Sequence, residues 1–157
     1  MQKNELIKLY SLNDTESVAE KCLRLFNRTP RALIFLKGDL GSGKTTFAQI
    51  FLKKLGVVTR VKSPTYSLIE PYTTPQRQIY HLDLYRIQDQ QELEFLGLLD
   101  LLSEQAIFLV EWPHLLEALE IAPDLILEFS VKENQGLIER QVIIQHCLKD
   151  HHDPAPH

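Results

Sequence analysis

The stretch Gly38-Asp39-Leu40-Gly41-Ser42-Gly43-Lys44-Thr45 constrains this chain more than any other. It fits the pattern G-x-x-x-x-G-K-[ST], a loop whose backbone amides cradle phosphate oxygens. The glycines open backbone angles closed to other residues, so the main chain can approach an anion and turn its N–H groups into a nest. Lys44 supplies a point charge for the β- and γ-phosphates, and the Thr45 hydroxyl, with Thr46 behind it, is placed to ligate Mg2+. Such a loop works only between a buried strand and the start of a helix, whose N-terminal end adds positive potential.

The flanks agree with that requirement. Ala32-Leu33-Ile34-Phe35-Leu36 is the continuous apolar run of a strand buried on both faces. Phe47, Ile50, Phe51 and Leu55 recur at helical spacing, and Gly56 can end the helix. The expected fold is α/β, a P-loop three-layer αβα sandwich with a largely parallel central sheet and antiparallel edge strands.

Taken in order, Leu6, Ile7 and Leu9 suggest an extended lead. Asn13 and Glu16 have capping-box spacing ahead of a helix whose apolar face is Val18, Cys22, Leu25 and Phe26. Beyond the phosphate loop, residues 57–61 read as a short strand and residues 66–70 as another, with a stiff Ser63-Pro64-Thr65 loop between them. Residues 71–75 read as a turn. Residues 78–87 alternate strictly: Tyr80, Leu82 and Leu84 face one way, and Ile79, His81, Asp83 and Tyr85 the other. One or two short helices are expected around Gly97. Ala106-Ile107-Phe108-Leu109-Val110 is the most apolar run and should lie beside the loop strand. A short helical piece at 115–119 and two late strands, joined by a turn at Asn134-Gln135-Gly136, follow.

Residues 1–149 are expected to form one domain and residues 150–157, which carry no apolar content beyond one alanine and are rich in histidine and proline, a disordered tail. A net charge of −4 argues against a chain that holds nucleic acid by bulk electrostatics alone. No signal-peptide core and no run approaching a membrane span is evident, so the expected compartment is the cytoplasm, with Cys22 and Cys147 reduced.

A nucleoside triphosphatase needs acidic partners for its metal and its water. In an open parallel sheet these sit at the carboxyl ends of strands. Glu111 ends the best buried strand and is the first candidate, its alternative being a carboxylate that merely marks the strand's exit. Asp83, flanked on its face by His81 and Tyr85, is the second: it could orient the attacking water or share the magnesium shell, or instead pair with Arg86. Thr65 is the third: a loop threonine can reach the metal when a γ-phosphate is present, as in GTPase switch loops, or can simply close a turn beside Pro64.

Together, Gly38 to Thr46, Val61-Lys62-Ser63-Pro64-Thr65-Tyr66-Ser67-Leu68-Ile69-Glu70, Tyr80-His81-Leu82-Asp83-Leu84-Tyr85-Arg86, Glu92-Leu93-Glu94-Phe95-Leu96-Gly97 and Val110-Glu111-Trp112-Pro113 resemble the bacterial TsaE (YjeE) family. The resemblance runs from about Ser11 to Gln145. It implies a small P-loop ATPase that helps make N6-threonylcarbamoyladenosine (t6A) at position 37 of tRNAs reading ANN codons. It further implies ATP and Mg2+ as cofactors and the TsaB–TsaD pair as partners, with tRNA reached only through them and the isolated chain a monomer. By position, Thr45 and Glu111 match the family's magnesium residues, and Asp83 matches an acid needed for hydrolysis. Lys44 with Gly38, Leu40, Gly41, Ser42, Gly43, Thr45 and Thr46 matches the phosphate site. Asp14 and Asn134 fall where the family closes over the nucleotide's base.

Two other readings stay in view. A small-molecule kinase shares this size and loop, but usually carries an arginine-rich lid, whereas the seven arginines here are scattered. A nucleotide-gated assembly factor would use ATP to order the Ser63-Pro64-Thr65 loop and turnover only to reset it. No guanine-reading Asn-Lys-x-Asp occurs, which favours adenine.

Overall fold

The computed structural model describes residues 3–65 and 67–147; the expected tail lies outside them. One mixed sheet of seven strands runs in the order β1-β7-β6-β2-β5-β4-β3. Its centre is β2 (Ala32–Lys37), parallel to β5 (Ala106–Glu111) on one side and to β6 (Leu125–Asn134) on the other. Next to β5, β4 (Gln78–Asp83) is also parallel, and β3 (Ile69–Thr73) closes that edge antiparallel. At the other edge, β7 (Leu137–His146) returns antiparallel on β6, and β1 (Lys3–Leu9) pairs antiparallel with β7. The expected parallel centre with antiparallel edges is what forms.

Alternation along the buried strands builds two cores. Ile34, Leu36, Ile107 and Leu109 face α1 (Leu12–Phe26) and α2 (Lys44–Lys54), which contribute Val18, Cys22, Phe47 and Phe51. Leu33, Phe35, Phe108 and Val110 face α3 (Gln90–Phe95), α4 (Leu98–Leu101) and α5 (His114–Ala118), which contribute Leu93, Leu98 and Leu116. Each such side chain stabilises the fold by roughly 1.5–3 kcal/mol relative to exposure. Neither cysteine is in a disulfide; burial among these helices pushes the Cys22 thiol up to about 12, and Cys147 is half-buried.

Several local expectations are corrected. Helix α1 is capped from Ser11, not Asn13: Asp14 accepts the N–H groups of Tyr10 and Ser11 at 2.8 and 3.0 Å. Residues 57–61 form no strand. Val58 is almost wholly exposed, and no neighbouring strand offers it a ladder, so β-branched propensity has nothing to pair with. Strand β3 begins at Ile69 and runs through Pro71, where a turn was expected. Proline is tolerated there because β3 is an edge strand and one side of its ladder needs no N–H. Strand β4 stops at Asp83, and the chain turns with Ile87 N–H donating to the Leu84 carbonyl.

The parallel register sets up the site. Leu36, Glu111 and Asp83 lie in one row across β2, β5 and β4, at their carboxyl ends. The phosphate loop leaves β2 just beyond this row and enters α2 at Gly43, whose φ of +114° is open to glycine. Gly38 is more demanding still: its φ is +137°, and a Cβ there would lie 2.4 Å from the Phe129 carbonyl oxygen. Gly38→Ala is therefore expected to cost about 3 kcal/mol by strain and overpacking. A thermal melt should fall by roughly 10 °C, and a shift under 2 °C would show that the loop relaxes freely.

Candidate functional site

A cavity of about 400 Å3 opens at the row of strand ends. Its lining includes Leu40, Gly41, Gly43, Lys44, Thr45 and Thr46 of the phosphate loop and α2, Asp83 and Glu111 from the strand ends, and Thr65. A second cavity of about 570 Å3 shares Asp39, Leu40, Lys44 and Trp112 with it and is lined in addition by Gly38, Ser42 and Glu128. Most of the anticipated residues, scattered over seventy positions of sequence, thus converge. Two do not. Asp14 lines neither cavity, its carboxylate being taken by the α1 cap; the wall there is Tyr10, Ser11, Leu12 and Thr15. Asn134 sits exposed at the end of β6 and also lines neither; from that hairpin it is Arg140 that reaches the smaller cavity.

Lys44 carries the strongest signal. Its side chain is 5 % exposed, and its Nζ is buried with no hydrogen-bond partner. It rests 4.1 Å from the centroid of the Trp112 ring, a cation–π contact. Burial holds the ammonium below its ordinary pKa, and the carboxylates of Glu111, Asp83 and Asp39 partly restore it. Ser42 Oγ is likewise buried and unpartnered. Orphaned donors cost about 1–3 kcal/mol each, more if charged. A glycine-rich loop entering a helix N-terminus beside a bare ammonium is matched by an anion with several oxygens, such as a polyphosphate.

The acidic wall is ordered from behind. Asp83 Oδ1 accepts the Tyr85 N–H at 3.0 Å, and Asp83 N–H donates to the Leu68 carbonyl at 2.9 Å. Glu111 Oε2 lies 2.9 Å from His81 Nε2, both side chains buried. Trp112 follows with φ +55°, rare for a bulky residue, and its ring packs 5.0 Å from that of Tyr85. Strain of this kind clusters at functional sites. Thr65 is exposed on the irregular segment before β3, its hydroxyl 2.7 Å from that of Ser63.

Thr45, Glu111 and Asp83 offer only hard oxygen donors, which suit a magnesium ion. Among the described residues no group of three or more His, Cys, Asp or Glu side chains could hold a metal alone. A cation here would draw its remaining ligands from phosphate and water.

Sequence reasoning did not anticipate the His81–Glu111 pair or the Lys44–Trp112 contact. The alternation of β4 had already put His81 on the Asp83 face. Its partner on β5 becomes visible only with the register.

Comparison with known proteins now bears on this geometry. Residues 9–142 match the family model described as threonylcarbamoyl adenosine biosynthesis protein TsaE. The tRNA threonylcarbamoyladenosine biosynthesis protein TsaE of Bacillus subtilis is 38% identical over 87% of this chain and 83% of that protein. The Haemophilus influenzae protein of the same name is 46% identical over 60% of this chain and 59% of its own length. The crystal structure of Bacillus subtilis YdiB superposes with a TM-score of 0.67 at 30% identity, covering 93% of this chain and 87% of that one. With a family model spanning most of its length, and that fold and loop beneath it, the chain belongs to the TsaE family.

Proposed function

We propose that this protein binds ATP with magnesium in the cleft at the strand ends. In this reading it hydrolyses ATP as the energy-using component of t6A37 formation in tRNAs that read ANN codons. It acts in the cytoplasm with the TsaB–TsaD pair, as a monomer when alone, and touches tRNA only through that complex. The observation that carries the reading is the buried Lys44 ammonium, without a hydrogen-bond partner, in a glycine-rich loop that shares its cavity with two carboxylates. Family membership supports the pathway, and the net charge of −4 favours indirect contact with RNA.

The roles follow from the chemistry of each group. The loop amides and Lys44 bind and orient the β- and γ-phosphates. Thr45 and Glu111 hold the magnesium ion, which when bound supplies Lewis-acid neutralisation of phosphate charge. Asp83, with Oδ1 tied to the Tyr85 amide, presents its remaining acceptor capacity to a water and orients it. Thr65, which lines the cleft, turns its hydroxyl to the metal when a γ-phosphate is present. Leu40, Ser42 and Thr46 complete the phosphate cradle, and Gly38, Gly41 and Gly43 shape it. In this reading Asp14 acts through Tyr10 and Ser11, which it fixes and which line the cavity, and Asn134 through the β6–β7 hairpin, whose Arg140 lines it. Because Thr65 lies outside the regular strands and helices, a gated assembly role accompanies turnover in this reading.

Among the described residues Arg140 is the arginine that lines the cleft, and in this reading the partner pair supplies the charge stabilisation that the lone chain lacks. The isolated protein should therefore turn ATP over well below about 1 s⁻¹, and the purified TsaB–TsaD pair should accelerate it about tenfold or more. Phosphate release with and without the pair is the test. Turnover of tens per second by the lone chain, or phosphorylation of an added small molecule, would favour a kinase instead.

A further inference from the structure

His81 lies on β4 on the same face as Asp83, opposite Leu109 of β5, while Asp83 stands opposite Glu111. The Glu111 side chain therefore runs back along β5 to bring Oε2 within 2.9 Å of His81 Nε2. The imidazole is 2 % exposed, and its Nδ1 is buried without a partner. A bare lone pair left orphaned costs less than an orphaned N–H, so the arrangement favours the tautomer that carries its proton on Nε2 and donates to Glu111. A half-satisfied imidazole is an expensive way to fill a core, where an apolar residue of similar volume would cost less.

We propose that His81 is a positioning residue for the magnesium site: it ties down one oxygen of Glu111 and so presents the other to the cleft. Carboxylates that bind metals are commonly oriented by such an outer hydrogen bond. The proposal rests on the reading of Glu111 as a magnesium residue. His81 itself touches neither nucleotide nor metal.

The measurement is ATP affinity by calorimetric titration, once with magnesium and once with EDTA, on the full chain. His81→Leu is expected to shrink the magnesium-dependent gain about tenfold or more, while affinity in EDTA stays within about twofold. His81→Gln, whose amide nitrogen can occupy the place of Nε2, should restore most of the gain. His81→Asn, polar but too short to reach, should behave like the leucine variant, and it serves if the leucine variant fails to fold. A parallel fall in both titrations would mark a structural role and overturn the proposal. So would a glutamine variant as impaired as the leucine one, or an asparagine variant that keeps the full gain. The same titrations on Glu111→Ala separate the two levels. If that variant keeps its magnesium gain, the reading of Glu111 fails and takes this one with it. If it loses the gain while His81→Leu and His81→Asn keep theirs, His81 alone is excluded.

Discussion

Lys44→Met is expected to lower ATP hydrolysis by about 10²–10³-fold or more, the loss typical when one charge-stabilising group is removed from a transition state. The folded protein should be at least as stable as before. The reason is the state of the ammonium in the free protein: buried, without a hydrogen-bond partner, packed on the Trp112 ring, and only partly compensated by the nearby carboxylates. An unsatisfied buried charge is a liability that methionine does not carry, and a thioether packs well on an indole. Linkage gives the sign with pH. Burial lowers the folded pKa of Lys44 below its ordinary 10.5. The destabilisation is then fully present below the folded value, and it fades as pH rises from there through 10.5. The stability advantage of Lys44→Met should thus be largest on the acid side of that window and close under alkaline conditions. Phosphate release and thermal melts at several pH values check both halves. A variant that melts well below the parent at neutral pH would show that Lys44 has a structural partner after all.

The phosphate loop was legible because its spacing states its own mechanism, and β2 and β5 because continuous apolarity leaves a strand no option but burial on both faces. Glu111 followed from position alone, as the first acid beyond such a run. Most of what escaped depends on a neighbour far away in sequence. Residues 57–61 carry strand propensity, yet they join no ladder of the sheet, and β-propensity counts only where a neighbouring strand is present to pack and pair against. Pro71 looked like a turn because a single sequence does not say which strand is an edge. Ser11/Asp14 and Asn13/Glu16 offer the same cap spacing, and only the extended backbone at Ser11 selects between them, φ −150° and ψ 170°. That choice also decides the fate of Asp14, whose carboxylate becomes part of a helix cap rather than a cavity wall. His81 escaped for a related reason. Alternation assigned its face, but the parallel register assigned its partner.

Glu111→Ala should produce the second large effect and can divide the labour between the two acids. Magnesium-dependent hydrolysis is expected to fall by about 10²–10³-fold, while nucleotide binding in EDTA changes only a few-fold. The variant should also be less stable. It strips His81 Nε2 of its partner in a buried setting and removes the carboxylate that most favours the Lys44 ammonium. Leaving one such group unsatisfied costs about 1–3 kcal/mol. At roughly 2–4 °C per kcal/mol for a chain of this size, a melt should drop by several degrees. Asp83→Asn supplies the contrast. Asparagine still offers an oxygen to the Tyr85 amide, so the strand end keeps its shape, but the charge that would polarise a water is gone. If Glu111 holds the metal and Asp83 the water, Asp83→Asn should lose turnover with its magnesium-dependent affinity intact, whereas Glu111→Ala loses both. The reverse pattern would exchange the two roles, and normal hydrolysis by Glu111→Ala would remove Glu111 from the chemistry altogether. The row Leu36–Glu111–Asp83 makes the outcome informative, because the two acids stand side by side on adjacent strands and differ mainly in what holds each from behind.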